Sequence, residues 1–525
     1  MKRAFVLTGI TVALALAGAA WGGWTIETVA SQGDVGAACC LAVDRWGRPH
    51  IAYGDKTQET AMHAASNGSI WEFKTVASDV GLFGKTGLTF DSSDNPHILF
   101  LDSKAGELNY AYSSGSTWVT ERIDGGYGLG ETASIVVWPT EPRAAYYKLG
   151  YRYGYRDSAG WHTELITSNF GEFIRLFHDN ENKPHVVYSS TGTRSIVHSV
   201  RGTGGWSEDN ISEGIDSDAF FGPDNKIHVS FAGLNNNGLT YAVSTAGGSW
   251  KFETVPAVAG APAYTQICVN VPGDVFISYF NFDQHNLHVM IKHNGTWKHE
   301  RVATGTYVGN PHSIALGPGG YPLIAFYDAG NGDLKLARYD PLTDVELTSF
   351  TAERSRAGVD VRWAASGDEG VAGYNLYRAA AGAERERVNP SLIAGSSPFL
   401  YRDAATENAV AYRYWLEAVT PAGTGRTYGP ASVPPAAKAH AFALFQNVPN
   451  PVVNATTFTF ELAEGADVRL VVYDAAGRRV AAAAEGYYGP GRHDVPFQSD
   501  LAPGVYVYRI DAGSKTAARK MVVAR

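Results

Sequence analysis

Cysteine and charge are both scarce in this 525-residue chain, and each scarcity closes off a class of protein. Three cysteines, Cys39, Cys40 and Cys268, are too few and odd in number for a disulfide framework. Cys39 and Cys40 are adjacent, so on a strand their side chains point to opposite faces. No histidine stands at ligand spacing to complete a metal set, and the three read as small buried hydrophobes. Charged residues make up only 18% of the chain and sum to a net −9, which offers no basic field to nucleic acid or anionic lipid. Long apolar runs are confined to the N-terminus. Lys2 and Arg3 precede an apolar stretch over 4–16 and the small residues Ala17, Gly18 and Ala19. This pattern predicts a signal peptide over 1–20, too short to span a bilayer. The mature chain is therefore expected to be exported and to contain no transmembrane segment. No phosphate loop, HExxH, GxSxG or CxxC is present, so no catalytic residue is assigned and no cofactor or metal is expected.

Glycine and aromatics, by contrast, are plentiful: 58 glycines and 12% aromatic residues, a mix suited to strands joined by tight turns. The aromatics are also periodic. Trp24, Trp71, Trp118, Trp161, Trp206, Trp250 and Trp297 stand 47, 47, 43, 45, 44 and 47 residues apart. Each opens a short alternating segment (WTIETV, WEFKTV, WVTERI, WHTELI, WSEDNI, WKFETV, WKHERV), the mark of a half-buried strand. Three more short strands follow in each unit, such as CLAVD, HIAY and a third ending before the next tryptophan. Four strands per repeat of this length predict a propeller blade, and seven repeats predict a seven-bladed β-propeller over 24–340. If the tryptophan strand is the outer strand of the preceding blade, blade seven lacks one of its own. The segment 24–29 is expected to supply it and to close the ring.

The turns before the tryptophans (SNGSIW, SSGSTW, DSAGW, GTGGW, AGGSW, HNGTW) resemble a worn Asp-box of sialidase-type propellers. Glycine and the aromatic match, while the box aspartate is absent except at Asp157. The resemblance bears on fold and carries no sialidase activity. The loops entering the blades carry an aromatic between small residues (GLFG, GYGLG, NFGEF, AYT, TYVG). Phe83, Tyr127, Phe170, Tyr264 and Tyr307 are thereby candidates to line the central opening, either stacking on a sugar or peptide or plugging the channel. Asp55, Asp102 and Asp328 end the same strand in blades one, two and seven. They are candidates to hold a cation or share acid–base work, or simply to cap the following turns. His50, His97, His185 and His228 recur at one strand start, and this repetition favours a structural role.

Beyond Pro341 the repeat stops. A segment with Trp363 on its second strand, then GYNLYRA, then AYRYWLEAV with Tyr412 at a corner position, resembles a fibronectin type III domain over 342–433, which implies a spacer. A Pro/Ala linker is expected over 434–441. LFQNVPNP, VRLVVYDAAGRRV, GRHDVPF, LAPGVYVYRIDAG and KMVV follow in the order seen in the C-terminal sorting domain of the type IX secretion system, with Val452-Val453 where that family has an aromatic. The same sandwich looks like the immunoglobulin-like module of flagellar hook-capping proteins. For 442–525 the resemblance implies an address read by an outer-membrane translocon. The whole reads as an all-β chain with a seven-bladed β-propeller and two C-terminal β-sandwich domains. It is expected to be secreted or displayed at the cell surface, with the propeller recognising carbohydrate or a surface protein. The rival is a glycoside hydrolase or polysaccharide lyase using carboxylates on the loop face.

Overall fold

The computed structural model describes residues 23–524 apart from 82–83, 85, 115–116, 235–237, 257–259, 356, 369, 421–422 and 436–440. The expected signal peptide over 1–20, Phe83 and most of the expected linker lie outside the described residues. Among the described residues no helix is long and apolar enough to cross a membrane.

Seven four-stranded antiparallel sheets succeed one another from Trp24 to Tyr339. Blade 1 runs from its inner strand Val35–Val43 through Pro49–Asp55 and Thr60–Ser66 to the outer strand Trp71–Ser78. All seven residues of Pro49–Asp55 are buried, whereas Trp71–Ser78 is mostly exposed. A middle strand is covered on both faces by neighbouring blades, so it is buried throughout and mainly apolar; the outer strand has one side open to water. Each tryptophan segment forms the outer strand of its blade. Trp24–Ala30 pairs with Asp333–Tyr339, Trp24 opposite Tyr339, and so completes blade 7 with Val308–Leu316 and Pro322–Asp328. The first and last strands of the propeller thus sit in one sheet.

Packing follows the same sevenfold plan. Each pair of adjacent blades encloses its own apolar cluster. One, containing Leu99, Tyr110, Ile135 and Tyr146, joins blades 2 and 3; another, containing Val29, Leu41, Ile51 and Leu336, joins blades 7 and 1. Cys39 and Cys268 are buried in two of these clusters. The inner strands have no fifth strand to pair with, and their polar groups find side chains of adjacent blades instead. Leu41 N–H donates to Ser313 Oγ, Leu176 N–H to Ser134 Oγ and Ile267 N–H to Asp218 Oδ2, each at 3.0 Å. Such bonds satisfy an edge that would otherwise leave buried donors unpaired.

Two β-sandwich units follow. The first packs Glu346–Ser355, Gly358–Ser366 and Phe399–Asp403 against a sheet containing Gly373–Ala380, Tyr412–Val419 and Gly425–Val433. Its core holds Trp363, Tyr374, Tyr414 and Leu416, and Glu407 N–H donates to the Tyr412 hydroxyl. The second packs Ala455–Leu462 and Gly491–Gln498 against Ala466–Tyr473, Arg479–Tyr488, Gly504–Ala512 and Lys515–Val523. Val452 is fully buried in its core beside Phe458 and Tyr508, while Val453 is exposed.

Candidate functional site

The inner strands are not regular where they begin. Their pairing slips between Ala37 and Cys40, Leu129 and Ala133, Glu172 and Ile174, Ile215 and Asp218, and Ala263 and Gln266. At four of these bulges a non-glycine residue sits in the left-handed region: Ala38, Phe173, Asp216 and Tyr264, with φ of 53°, 57°, 55° and 53° respectively. That conformation is costly for residues with a side chain, and bulges re-aim side chains near functional sites. Just below lies an axial cavity of about 50 Å³ to which all seven blades contribute, through Cys39, Thr86, Ser134, Phe173, Ser217, Gln266 and Ser313 among others. Within it Arg175 faces Asp218 at 3.6 Å.

A string of rings runs across the head of this channel. Phe173 of blade 4 lies 5.7 Å from Tyr264 of blade 6, and Tyr264 lies 5.8 Å from Phe282. Phe282 leads to Phe280 at 5.3 Å, and Phe280 to Tyr307 at 5.0 Å. Carboxylates surround it. Tyr264 N–H donates to Asp216, and burial together with Asp216, Tyr307 and Glu172 pushes the Tyr264 phenol above its usual range. Burial first, and the neighbouring Glu172 second, also raise the Glu131 carboxyl. Glu131, Glu172 and Asp216, at the bulges of blades 3, 4 and 5, therefore make the mouth acidic.

The sequence candidates divide among several places. Tyr264 and Tyr307 belong to this string. Phe170, 61% exposed, packs edge-on against Tyr147 at 5.5 Å in a separate group, and Tyr127 is 91% exposed. Asp55, Asp102 and Asp328 are buried and serve the turns behind them. Asp55 accepts Gln58 N–H at 2.9 Å; Asp102 accepts Lys104 N–H at 2.9 Å and Gly81 N–H at 3.0 Å. Burial pushes Asp328 upward, but Lys335 at 2.6 Å and Asn331 outweigh it and hold the carboxyl low. The three form no cluster able to hold a metal ion. The recurrent histidines bond within their hairpins: His50 to His63 at 3.0 Å, His97 to Tyr110 at 2.5 Å, His185 to His198 at 2.8 Å and His228 to Tyr241 at 2.7 Å.

Sequence reasoning passed over the carboxylates at the mouth, because nothing in their local sequence distinguishes them from surface acids. It also passed over a motif in plain view. Six of the seven tryptophan segments read W-x-x-acid, with Glu27, Glu121, Glu164, Asp209, Glu253 and Glu300 in the last place. Four of these acids accept the indole N–H of the next blade: Trp206 to Glu164, Trp250 to Asp209 and Trp24 to Glu300 at 2.8 Å, and Trp297 to Glu253 at 2.6 Å. Trp161 lies against Glu121, whose carboxyl it and Arg156 hold low, without a hydrogen bond of ordinary geometry. These bonds belt the outer rim.

Comparison with known proteins bears on one end of the chain. Residues 448–524 match the family model of the secretion system C-terminal sorting domain. That match indicates a protein secreted or attached at the outer-membrane surface by way of the type IX route. No curated protein matches the chain. Among solved structures, an Aleuria aurantia lectin mutant in complex with alpha-methyl-L-fucoside is 14% identical over 53% of this chain and 98% of that one, with a TM-score of 0.37. SapL1 lectin in complex with alpha methyl fucoside is 12% identical over 52% and 98%, with a TM-score of 0.37. A protein of unknown function from Dyadobacter fermentans DSM 18053 is 13% identical over 61% and 99%, with a TM-score of 0.38. Likenesses this distant carry no argument about ligands.

Proposed function

We propose that the propeller is a recognition module whose mouth binds carbohydrate, carried to the cell surface by the C-terminal domain, with the unit over 342–433 as a fibronectin-like spacer. The observation that supports this most is the string Phe173–Tyr264–Phe282–Phe280–Tyr307 lying beside Glu131, Glu172 and Asp216. Flat apolar faces of a sugar ring stack on such aromatics, and carboxylates accept its hydroxyl protons. An acidic mouth repels acidic ligands, so the preferred glycan is neutral. A glycan array probed with the whole protein tests this. Neutral glycans are expected to bind, and Tyr264→Ala is expected to weaken them by about tenfold, the equivalent of one lost stacking contact. Silence on the array and on whole-cell polysaccharides sinks the reading.

One observation favours the hydrolase alternative. Glu131 is held protonated to higher pH beside Glu172, as a general acid beside a second carboxylate would be. Release of reducing sugar from a bound glycan, lost in Glu131→Gln, would decide for it.

A further inference from the structure

The W-x-x-acid motif is broken in one blade. Blade 1 reads Trp71-Glu72-Phe73-Lys74, so a lysine stands where the other six blades place a carboxylate. The tryptophan that this carboxylate would serve is Trp118, on the outer strand Thr117–Gly125 of blade 2. Its indole nitrogen is buried and has no hydrogen-bond partner among the described residues. A buried donor left unpaired costs about 1–3 kcal/mol, so something is expected to satisfy it.

The space at the gap is a cavity of about 220 Å³, lined by Trp118, Lys74, Arg48, His50, His63 and Glu72 among others. Trp118 is set edge-on against His63, with ring centroids 5.3 Å apart. His63 is 4% exposed and spends one ring nitrogen on His50. Arg48 is tied to Asp44 at 2.6 Å but keeps 42% of its side chain exposed. Lys74 is exposed and makes no ion pair among the described residues. Glu72 is the one acidic side chain on the wall. At two other blade junctions the corresponding place holds a carboxylate that accepts the indole and pairs with a cation of the next blade: Glu164 with Trp206 and Arg201, and Glu253 with Trp297 and Lys292. The gap retains the indole donor and places a lysine where the motif elsewhere places the accepting carboxylate.

We propose that this rim cavity between blades 1 and 2 is a binding site for a ligand carboxylate, which takes the place of the missing side-chain carboxylate by accepting from Trp118 Nε1 and pairing with Lys74. The site is separate from the acidic mouth and does not depend on the mouth's ligand. A carboxylate of this kind is offered by a uronic acid unit of an acidic glycan and by the C-terminus of a peptide, and the test separates the two.

The whole protein carrying ¹⁵N-labelled tryptophan indoles is titrated with acetate, glucuronate, an N-acetylated dipeptide and, as a neutral control, glucose. One indole resonance, assigned to Trp118 by its disappearance in Trp118→Phe, is expected to shift saturably with a carboxylate and not with glucose. Stronger binding of glucuronate than of acetate identifies the uronic acid; stronger binding of the dipeptide identifies the peptide terminus. Lys74→Glu is expected to rebuild the belt from within. Its Trp118 resonance should sit at the ligand-shifted position without ligand, cease to respond, and be accompanied by a higher melting temperature. Lys74→Gln, which keeps the shape without the charge, should weaken the response about tenfold. An indole that no carboxylate moves overturns the proposal, as does a Lys74→Glu protein that responds as the native chain does.

Discussion

The Asp102 carboxylate receives the backbone N–H groups of Lys104, Gly81 and Ala105, and it is buried while doing so. Gly81 lies in the loop from blade 1 to blade 2, so one side chain fixes both a turn and the start of a blade. Hydrogen bonds to a charged acceptor contribute about 1.5–3 kcal/mol each way of counting, and removing the acceptor orphans the donors. Asp102→Ala is expected to lower the unfolding free energy by about 2 kcal/mol in urea titrations while leaving glycan affinity unchanged. A variant of native stability that no longer binds would make Asp102 a ligand residue instead. At this scale the sequence is legible only in part. An aspartate at a strand end reads equally as cap or ligand, because the choice depends on which N–H groups the fold brings to it. Tyr264 was visible as an aromatic between small residues, but its neighbours Glu172 and Asp216 were not. They come from other blades, and bulges with left-handed residues set their direction.

The hairpin at the middle of blades 1, 2, 4 and 5 holds a histidine bonded across to its partner strand, and burial lowers the affinity of these rings for a proton. Burial, aided by the neighbouring His50 and Lys74, pushes His63 down to about 3. Burial likewise takes His178, His198 and His288 to about 4. In the unfolded chain these residues titrate near 6.5. Between pH 6.5 and 4 the unfolded state therefore binds more protons than the folded one, and stability falls as pH falls. Each such histidine contributes at most about 1.4 kcal/mol per pH unit within that window, fully retained above it. Thermal melts are expected to show a melting temperature flat above pH 7 and descending steadily from pH 6.5 to pH 4. His198→Gln, which keeps a hydrogen-bonding group without the titration, should flatten part of that descent; an unchanged slope would remove this hairpin from the account. The strands themselves were readable from period-two alternation, and the tryptophan spacing gave the phase that assigns each outer strand to its blade. The belt between blades was written in the same segments. Its role was not legible because the tryptophan and the acid, three positions apart, point to opposite faces of their strand, and each bond joins two different blades.

At the level of the whole molecule, a ring of blades is only as stable as its seam. The seam here is the strand Trp24–Ala30, drawn from the opposite end of the propeller to pair with Asp333–Tyr339. Trp24 is 1% exposed, donates to Glu300 at 2.8 Å and packs in the cluster between blades 6 and 7 with Phe276, Ile324 and Phe326. Replacing a fully buried tryptophan by alanine costs about 3–5 kcal/mol, which Trp24→Ala should lose in urea titrations. Deleting the whole strand should do more, since it also bares the edge of Asp333–Tyr339 to other chains. The C-terminal sandwich has its own core, with Phe458, Phe460, Leu470 and Met521 fully enclosed. It can therefore be removed without touching the seam. Two deletions are then expected to fail in opposite ways. Loss of residues 23–30 should leave a protein that aggregates or melts without cooperativity wherever it is made. Loss of residues 440–525 should leave a propeller that melts as before but accumulates in the periplasm, read by fractionation and by protease access at the cell surface. Normal surface delivery of the second truncation would refute the role of the sorting domain, and an intact cooperative melt of the first would show that the ring does not need its seam.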